Sequence, residues 1–313
     1  MTKLPGAYFI LVLLATAFCL PKPACPQNPQ GAQGTKQRMV ILNVRVTDNL
    51  SHAVADVPQA DFRVIEDGVP QTISLFSKED IPLTYALVID TSGSLRSQLG
   101  AVLATGATIV SNNQPDDETL LIRFVSRDKI ETVQEFTSDK RALIERLQDL
   151  FPEGGQSAVI DAVYLAAQAV AKRNTVGGPL RRRAMILVTD GEDRNSYYKQ
   201  DQLFKLLGET DVQIYVIAFT KELKGGVRDK AVALLTRLAT DTGGRVFFPS
   251  SISELTKIAV EITRDIRTQY VIGYVPTIAP DASFHKLGVT VIEKPGAEKR
   301  IAVTRVGYSG SEK

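Results

Sequence analysis

Tyr85-Ala86-Leu87-Val88-Ile89-Asp90-Thr91-Ser92-Gly93-Ser94 is the stretch that decides how this 313-residue sequence is read. Five consecutive apolar residues suit a strand buried on both faces, the kind found in parallel sheets. An acid and two hydroxyls follow at once, and Leu95, Leu99, Val102, Leu103 and Ile109 then recur at helical spacing. A strand that ends in polar residues and runs into a helix is the unit from which doubly wound folds are built.

The same alternation repeats outward from it. Leu120–Val125 reads as a second strand with Ile130–Phe136 as its antiparallel partner. Two helices follow, one with Leu143, Leu147 and Leu150 on one face, and one with Ile160, Val163, Ala167 and Val170 after the Gly154-Gly155 turn. Met185–Val188 and Ile214–Phe219 are two more buried strands, with a helix near 201–207 between them. A helix over 229–240 stops at Gly243-Gly244, and Val246–Phe248 is a last short strand. Ser251-x-x-Glu254 has the spacing of a capping box, opening a helix whose face carries Leu255, Ile258, Ala259, Ile262 and Ile266. The fold class is therefore α/β: a doubly wound, mostly parallel, Rossmann-like sheet with helices on both faces.

Both flanks of this region are β-rich. Residues 39–46 and 62–76 form the first, the latter folded back at Asp67-Gly68, and 270–276, 286–293 and 299–308 form the second. Neither flank has enough apolar surface to stand alone, so the segments 38–80 and 269–313 are expected to pair into one small sheet beside the core. His52 and His285 are expected at its surface, and Tyr270, Tyr274 and Tyr308 between its strands.

The start of the chain has a different character. Lys3 precedes an unbroken apolar run, Ala7–Leu20, which is the length of a signal-peptide core and short for a transmembrane helix. Residues 1–25 read as a signal peptide and 26–37 as a flexible leader, so the expected protein is exported to the periplasm, the cell surface or the medium, with no transmembrane helix in its mature form. A signal or lipid anchor at Cys19 or Cys25 is the alternative. Those two cysteines are the only ones, so the remainder is free of thiol chemistry and disulfides.

Composition narrows the function classes. With 44% hydrophobic and 23% charged residues the chain is globular, neither disordered nor fibrous. Lys plus Arg number 37 and Asp plus Glu 35, and without Lys3 and Lys22 in the first 25 residues the charges balance. A neutral chain has no global field for nucleic acid, so none is expected as a partner. There is no G-x-S-x-G elbow, no phosphate-binding G-x-x-x-x-G-K-[ST] loop and no G-x-G-x-x-G fingerprint.

The polar residues at the strand ends carry the chemistry. Asp90, Ser92 and Ser94 occupy one turn, Ser157 closes the loop Gly154-Gly155-Gln156-Ser157, and Asp190 follows the strand Met185–Val188. Three loops thus present two carboxylates and three hydroxyls at the carboxyl edge of one sheet, where ligands of such folds bind. A small set of hard oxygen donors that leaves room for water suits Mg²⁺ better than Ca²⁺, with Mn²⁺ or Ca²⁺ as alternatives. Because hydroxyls are neutral, a cation held by them stays electrophilic toward an incoming carboxylate.

In that order, Asp90-Thr91-Ser92-Gly93-Ser94, then Gly154-Gly155-Gln156-Ser157 with Asp161-Ala162 four residues on, then Thr189-Asp190-Gly191-Glu192-Asp193, the sequence resembles the von Willebrand factor type A domain over residues 84–268. Val46-Thr47-Asp48, Asp61–Gly68, Gln71-Thr72-Ile73 and Gly307-Tyr308 extend the likeness to the acidobacterial VWFA-related family, which is exported. The resemblance implies a central first strand and a metal-ion-dependent adhesion site. Ser92 and Ser94 would bind the metal directly, Ser157 directly or through water, and Asp90 and Asp190 mostly through water. Ser157 departs from the usual Thr, which keeps the hydroxyl and frees its rotamer. The expected partner is a protein offering an acidic side chain, and the expected protein is no enzyme.

Two other classes compete: a cell-envelope scaffold whose metal site is idle, and a Mg²⁺-dependent hydrolase whose base would be Glu192 or Asp193. Those two acids otherwise read as solvated loop charge, and Arg181-Arg182-Arg183 with Lys172-Arg173 as a soluble strand edge rather than a docking patch.

Overall fold

Val40–Thr47 (β1), Phe62–Glu66 (β2), Val69–Gln71 (β3) and Ile73–Ser77 (β4) open the chain, ahead of the decisive strand Leu83–Asp90 (β5). The computed structural model describes residue 2 and residues 39–50, 52–173, 180–277, 281, 283–293, 296 and 298–310. The expected signal peptide and leader, with Cys19 and Cys25, lie outside the described residues apart from Thr2.

All eight residues of β5 are buried. Its alternating side chains explain why: Ala86 and Val88 point into one apolar cluster and Tyr85, Leu87 and Ile89 into another, so both faces of the strand need cover. The cover comes from Leu99–Ser111 (α1), Lys140–Gln148 (α2), Val159–Lys172 (α3), Gln200–Glu209 (α4), Gly225–Asp241 (α5) and Leu255–Arg267 (α6), between which run Glu118–Phe124 (β6), Ile130–Thr137 (β7), Arg182–Thr189 (β8), Gln213–Ala218 (β9) and Arg245–Phe247 (β10). The sheet order is β10-β9-β8-β5-β6-β7, parallel except for the edge strand β7, with β5 in the interior. One cluster holds residues of α3, α4 and α5; the other holds residues of α1, α2 and α6. This is the α/β sheet with helices on both faces that the periodicity predicts. Among the described residues no helix is long and apolar enough to cross a membrane.

Local chemistry sets the ends of the helices. The Asp139 carboxylate accepts the N–H groups of Arg141 (2.9 Å) and Ala142 (3.1 Å) and so starts α2. The expected capping box at Ser251-x-x-Glu254 does not form. Ile252–Glu254 instead makes a 3₁₀ turn, and Glu254 reaches back to the N–H of Ser250 at 3.1 Å, so α6 begins at Leu255. Helix α5 starts at Gly225 rather than at 229, and Leu95 belongs to a 3₁₀ turn ahead of α1.

The arginine run that opens β8 is not a solvated edge. Arg181 bonds the Thr84 hydroxyl and the carbonyls of Leu83 and Asp116; Arg182, 1% exposed, donates to the carbonyls of Ile266 and Gln269 at the end of α6; Arg183 pairs with both oxygens of Asp211. Burial lowers Arg182 to about 10. Orphan carbonyls at a helix end attract such cations.

The flanks pair with each other, but into two sheets. Tyr270–Tyr274 (β11), Phe284–Val291 (β12), Ile301–Val303 (β13) and Gly307–Ser309 (β14) complete the strands. One sheet runs β13-β1-β11-β4 and the other β14-β12-β2-β3. Leu42, Val44, Phe62, Val64, Tyr270, Ile272, Tyr274, Leu287, Val289 and Tyr308 share one apolar cluster between them. A single sheet would leave its apolar face in water, which is why the chain divides the strands between two layers. The β2–β3 turn places Asp67 at φ 48° and Gly68 at φ 84°, the conformation that an Asp-Gly hairpin turn requires. The three tyrosines are buried as expected, and His285 is half-buried at the surface, its side chain 12% exposed.

Candidate metal centre

Asp90 ends β5 and is fully buried. Its carboxylate is held by neutral donors: Oδ1 accepts the N–H of Ser92 at 2.9 Å and Oδ2 the hydroxyl of Thr189 at 2.7 Å. Burial pushes Asp90 up to about 6; the bonds from Ser92 and Thr189 oppose the shift, and the nearby charge of Asp190 adds to it.

The turn after Asp90 carries the hydroxyls of Ser92 and Ser94, whose Oγ atoms are 3.0 Å apart. Ser92 is buried and Ser94 exposed, so the pair leads from the floor of the site to its surface.

Backbone bonds bring the second loop alongside. The N–H of Glu153 donates to the carbonyl of Thr91 at 2.8 Å, and Ser92 and Glu153 form a parallel bridge. At Gly155 a Cβ would lie 2.4 Å from Cγ1 of Val125, so this approach to the end of β6 requires glycine. Ser157 is buried, and its carbonyl accepts the N–H groups of Arg194 (2.8 Å) and Asn195 (3.3 Å). Those bonds tie the second loop to the third.

Asp190 follows β8 and is buried, with Oδ1 accepting the N–H of Glu192 at 2.9 Å. Gly191 turns the chain at φ +81°, where a Cβ would meet Cδ1 of Leu235 at 2.5 Å. Thr189 escaped the sequence reading as a working residue. Its hydroxyl donates to Asp90 and accepts the N–H of Gly191 at 3.0 Å, linking the first and third loops. The signal for it is the strand register, since Ile89 pairs with Val188 and Thr189 therefore faces Asp90.

The remaining acids of these loops have structural work. Asp193 accepts the N–H of Ile160 (3.1 Å) and the Ser196 hydroxyl (2.5 Å), capping the first turn of α3. Asp161 accepts the N–H groups of Tyr197 and Tyr198, each at 2.8 Å. Glu192 pairs with Arg194 at 2.6 Å. Neither Glu192 nor Asp193 is thus free solvated charge.

Among the described residues no Lys or Arg makes an ion pair with Asp90 or Asp190; Arg194, whose charge is felt by Asp190, bonds Glu192. Two buried carboxylates without a cation, beside hydroxyls and nothing but oxygen donors, fit a small hydrated dication. Of the five residues only Ser94 is exposed, so it marks where the site meets solvent. A cavity of about 400 Å³ lined by Pro82, Pro115, Asp116, Glu118, Ser138 and Arg181 lies at the opposite, amino-terminal edge of the sheet and contains none of these five residues.

Residues 85–192, from β5 to the loop after β8, match the family model of the von Willebrand factor type A domain. A comparison with curated proteins finds no match. Among solved structures, a von Willebrand factor type A protein from Catenulispora acidiphila is similar at 11% identity, over 87% of this chain and 75% of its own, with a TM-score of 0.49. An aerotolerance-related membrane protein from Bacteroides fragilis is similar at 17% identity, over 58% of this chain and 98% of its own, with a TM-score of 0.46. The von Willebrand factor domain of the type V pili tip protein Mfa5 from Porphyromonas gingivalis is similar at 14% identity, over 60% and 95%, with a TM-score of 0.46.

Proposed function

The chain carries a von Willebrand factor type A domain over residues 85–192, and from that premise we propose an exported, metal-ion-dependent module that binds a partner protein through an acidic side chain. The observation that carries the reading is the pair of hydroxyls on Ser92 and Ser94, 3.0 Å apart, beside a buried Asp90 that pairs with no Lys or Arg among the described residues. Ser92 and Ser94 would hold Mg²⁺ directly, Ser157 directly or through water, and Asp90 and Asp190 mostly through water. When bound, the ion would supply an electrophilic position that a carboxylate from the partner can occupy. The Ser92 backbone N–H, donated to Asp90 Oδ1, fixes the turn that carries the Ser92 hydroxyl, and Thr189 orients that carboxylate through Oδ2.

Two exposed aromatics favour a protein partner. Phe151 precedes Glu153, which bridges to Ser92, and Tyr197 follows the Asp190 loop; they are 56% and 70% exposed. Large exposed aromatics beside a polar centre are the composition of a protein interface. The hydrolase reading has no such support, because Glu192 and Asp193 are already engaged by Arg194 and by α3. Export rests on the apolar run Ala7–Leu20.

Titration calorimetry of Mg²⁺, Mn²⁺ and Ca²⁺, with and without excess acetate as carboxylate mimic, tests the proposal. Mg²⁺ binding that acetate strengthens and Asp90→Ala abolishes is expected. Absence of binding under every condition would favour the scaffold with an idle site.

A further inference from the structure

Glu66, Asp67 and His285 form a second polar cluster, in the sheet β14-β12-β2-β3. Glu66 ends β2, Asp67 opens the β2–β3 turn and His285 lies on β12, two residues before Leu287, the ladder partner of Glu66. The cluster is held in place. Asp67 donates its N–H to the carbonyl of Lys286 (2.9 Å) and accepts the N–H of Lys286 on Oδ1 (2.7 Å), while the imidazole stacks on Tyr308 with ring centres 5.2 Å apart.

Three carboxylates face one ring. Nδ1 of His285 is 2.8 Å from Asp67 Oδ2 and 3.6 Å from Glu66 Oε1, and Nε2 is 3.4 Å from Asp281 Oδ1. A protonated imidazole would neutralise only one of the three. Arg305 packs 5.3 Å over the Tyr308 ring. The Glu66 side chain is 6% exposed; Oε1 accepts the Tyr308 hydroxyl at 2.7 Å, and the buried Tyr274 hydroxyl lies against the same carboxylate without completing a hydrogen bond to Oε2. Neutral hydroxyls alone leave the charge of a buried carboxylate uncompensated on that side.

We propose that Glu66, Asp67 and His285 bind a transition-metal dication of the Zn²⁺ class, at a site independent of the hydroxyl-lined one. Donor chemistry separates the two: imidazole nitrogen with carboxylates selects Zn²⁺-like ions, whereas hydroxyls with water select Mg²⁺. Around a tetrahedral ion with bonds of about 2.0–2.1 Å, ligand atoms stand about 3.3 Å apart. The separations of 2.8 and 3.6 Å lie on either side of that value. The imidazole binds as the neutral tautomer, with its lone pair on Nδ1 and its proton on Nε2 facing Asp281; a proton displaced from Nδ1 leaves to solvent. A carboxylate behind the second ring nitrogen is the usual support of a metal-bound histidine.

The chain has only two histidines, so their ring signals can be followed separately in the full chain by NMR. With Mg²⁺ saturating, ZnCl₂ is titrated and bound Zn²⁺ counted by equilibrium dialysis. The His285 signals are expected to move to a new position complete at one equivalent, with His52 unchanged at that point. Asp67→Asn should weaken Zn²⁺ binding by more than about tenfold, and His285→Gln should remove it. Asn tolerates the positive φ at position 67 and its Oδ1 can still accept from Lys286, so the Asn variant keeps the turn. The Zn²⁺ equivalent should survive in Ser92→Ala. His285 signals unmoved by excess Zn²⁺, undiminished binding in both cluster variants, or loss of the equivalent in Ser92→Ala would each overturn the proposal.

Discussion

The two edges of the central sheet bury carboxylates in opposite ways. At the amino-terminal edge, Asp117 is fully buried, accepts the N–H of Leu83 (2.8 Å) and pairs with Arg267. Glu118 and Asp211 beside it are paired with Arg173, Arg181 and Arg183. At the carboxyl-terminal edge, Asp90 is equally buried, but only an amide and a hydroxyl hold it. Among the described residues the first edge pairs its acids with arginines, whereas the second leaves Asp90 without one, which is where the proposed cation would sit. Burial alone therefore does not distinguish the two edges; the presence or lack of an internal cation does.

That contrast is open to direct attack. The largest effect is expected at the first edge, where Arg267→Ala strands the buried Asp117 and should lower stability by about 3–5 kcal/mol in urea unfolding. A loss under 1 kcal/mol would mean that the pair does not close that edge.

At the second edge a substitution should instead stabilise. Asp90 sits at about 6 in the folded chain against 3.8 ordinarily. The folded state therefore favours the protonated form: its ionisation penalty is absent below pH 4, grows between pH 4 and 6 and is complete above 6. In chelator at pH 7, Asp90→Asn should gain about 1–2 kcal/mol, the relieved ionisation of about 3 kcal/mol less about 1–2 kcal/mol for the acceptor that the amide NH2 replaces. Saturating Mg²⁺, at a hundredfold over its dissociation constant, should stabilise the parent by about 2.7 kcal/mol and leave the variant unmoved. Melting curves in both buffers decide it, and a variant less stable than the parent in chelator would contradict the uncompensated charge.

Thr189→Val keeps the shape of the strand end and removes the hydroxyl that joins Asp90 to Gly191. A loss of about 1–2 kcal/mol is expected, together with weaker Mg²⁺ binding in calorimetry; loss of stability alone would reduce Thr189 to a packing residue. The smallest effect concerns Glu118, which the Arg173 hydrogen bond holds below its usual value. Its contribution is present above pH 4.5 and lost as pH falls through the lower folded value. Solvent screening keeps it under about 1 kcal/mol, so Glu118→Gln should only slightly flatten the acid limb of stability against pH.

The sequence exposed the core of the fold because Tyr85–Ile89 and its companion strands are apolar on both faces, a pattern that only a covered sheet satisfies. It exposed the five polar residues at the strand ends because each follows a strand or opens a helix. It hid whatever depends on contacts between distant segments. Arg182 reads as surface charge until the end of α6 is placed over it. His285 reads as an exposed surface residue until the β2–β3 turn folds against it. The division into two flanking sheets was illegible because β3, β13 and β14 are three residues each, too short to carry a period. Ser251-x-x-Glu254 has the right spacing for a capping box, but the tighter turn shifts the Glu254 contact to Ser250.

The interleaving of the two flanks also bears on force. β1 pairs with β11 and β13, and β2 with β12, so the strands before the α/β unit are zipped to the strands after it. A pull applied to the two ends of the chain must first part these antiparallel ladders before tension can reach β5 or the loops around Asp90. The Asp90 loops thereby sit in a length of chain closed by its own flanks, behind ladders that take up axial load first.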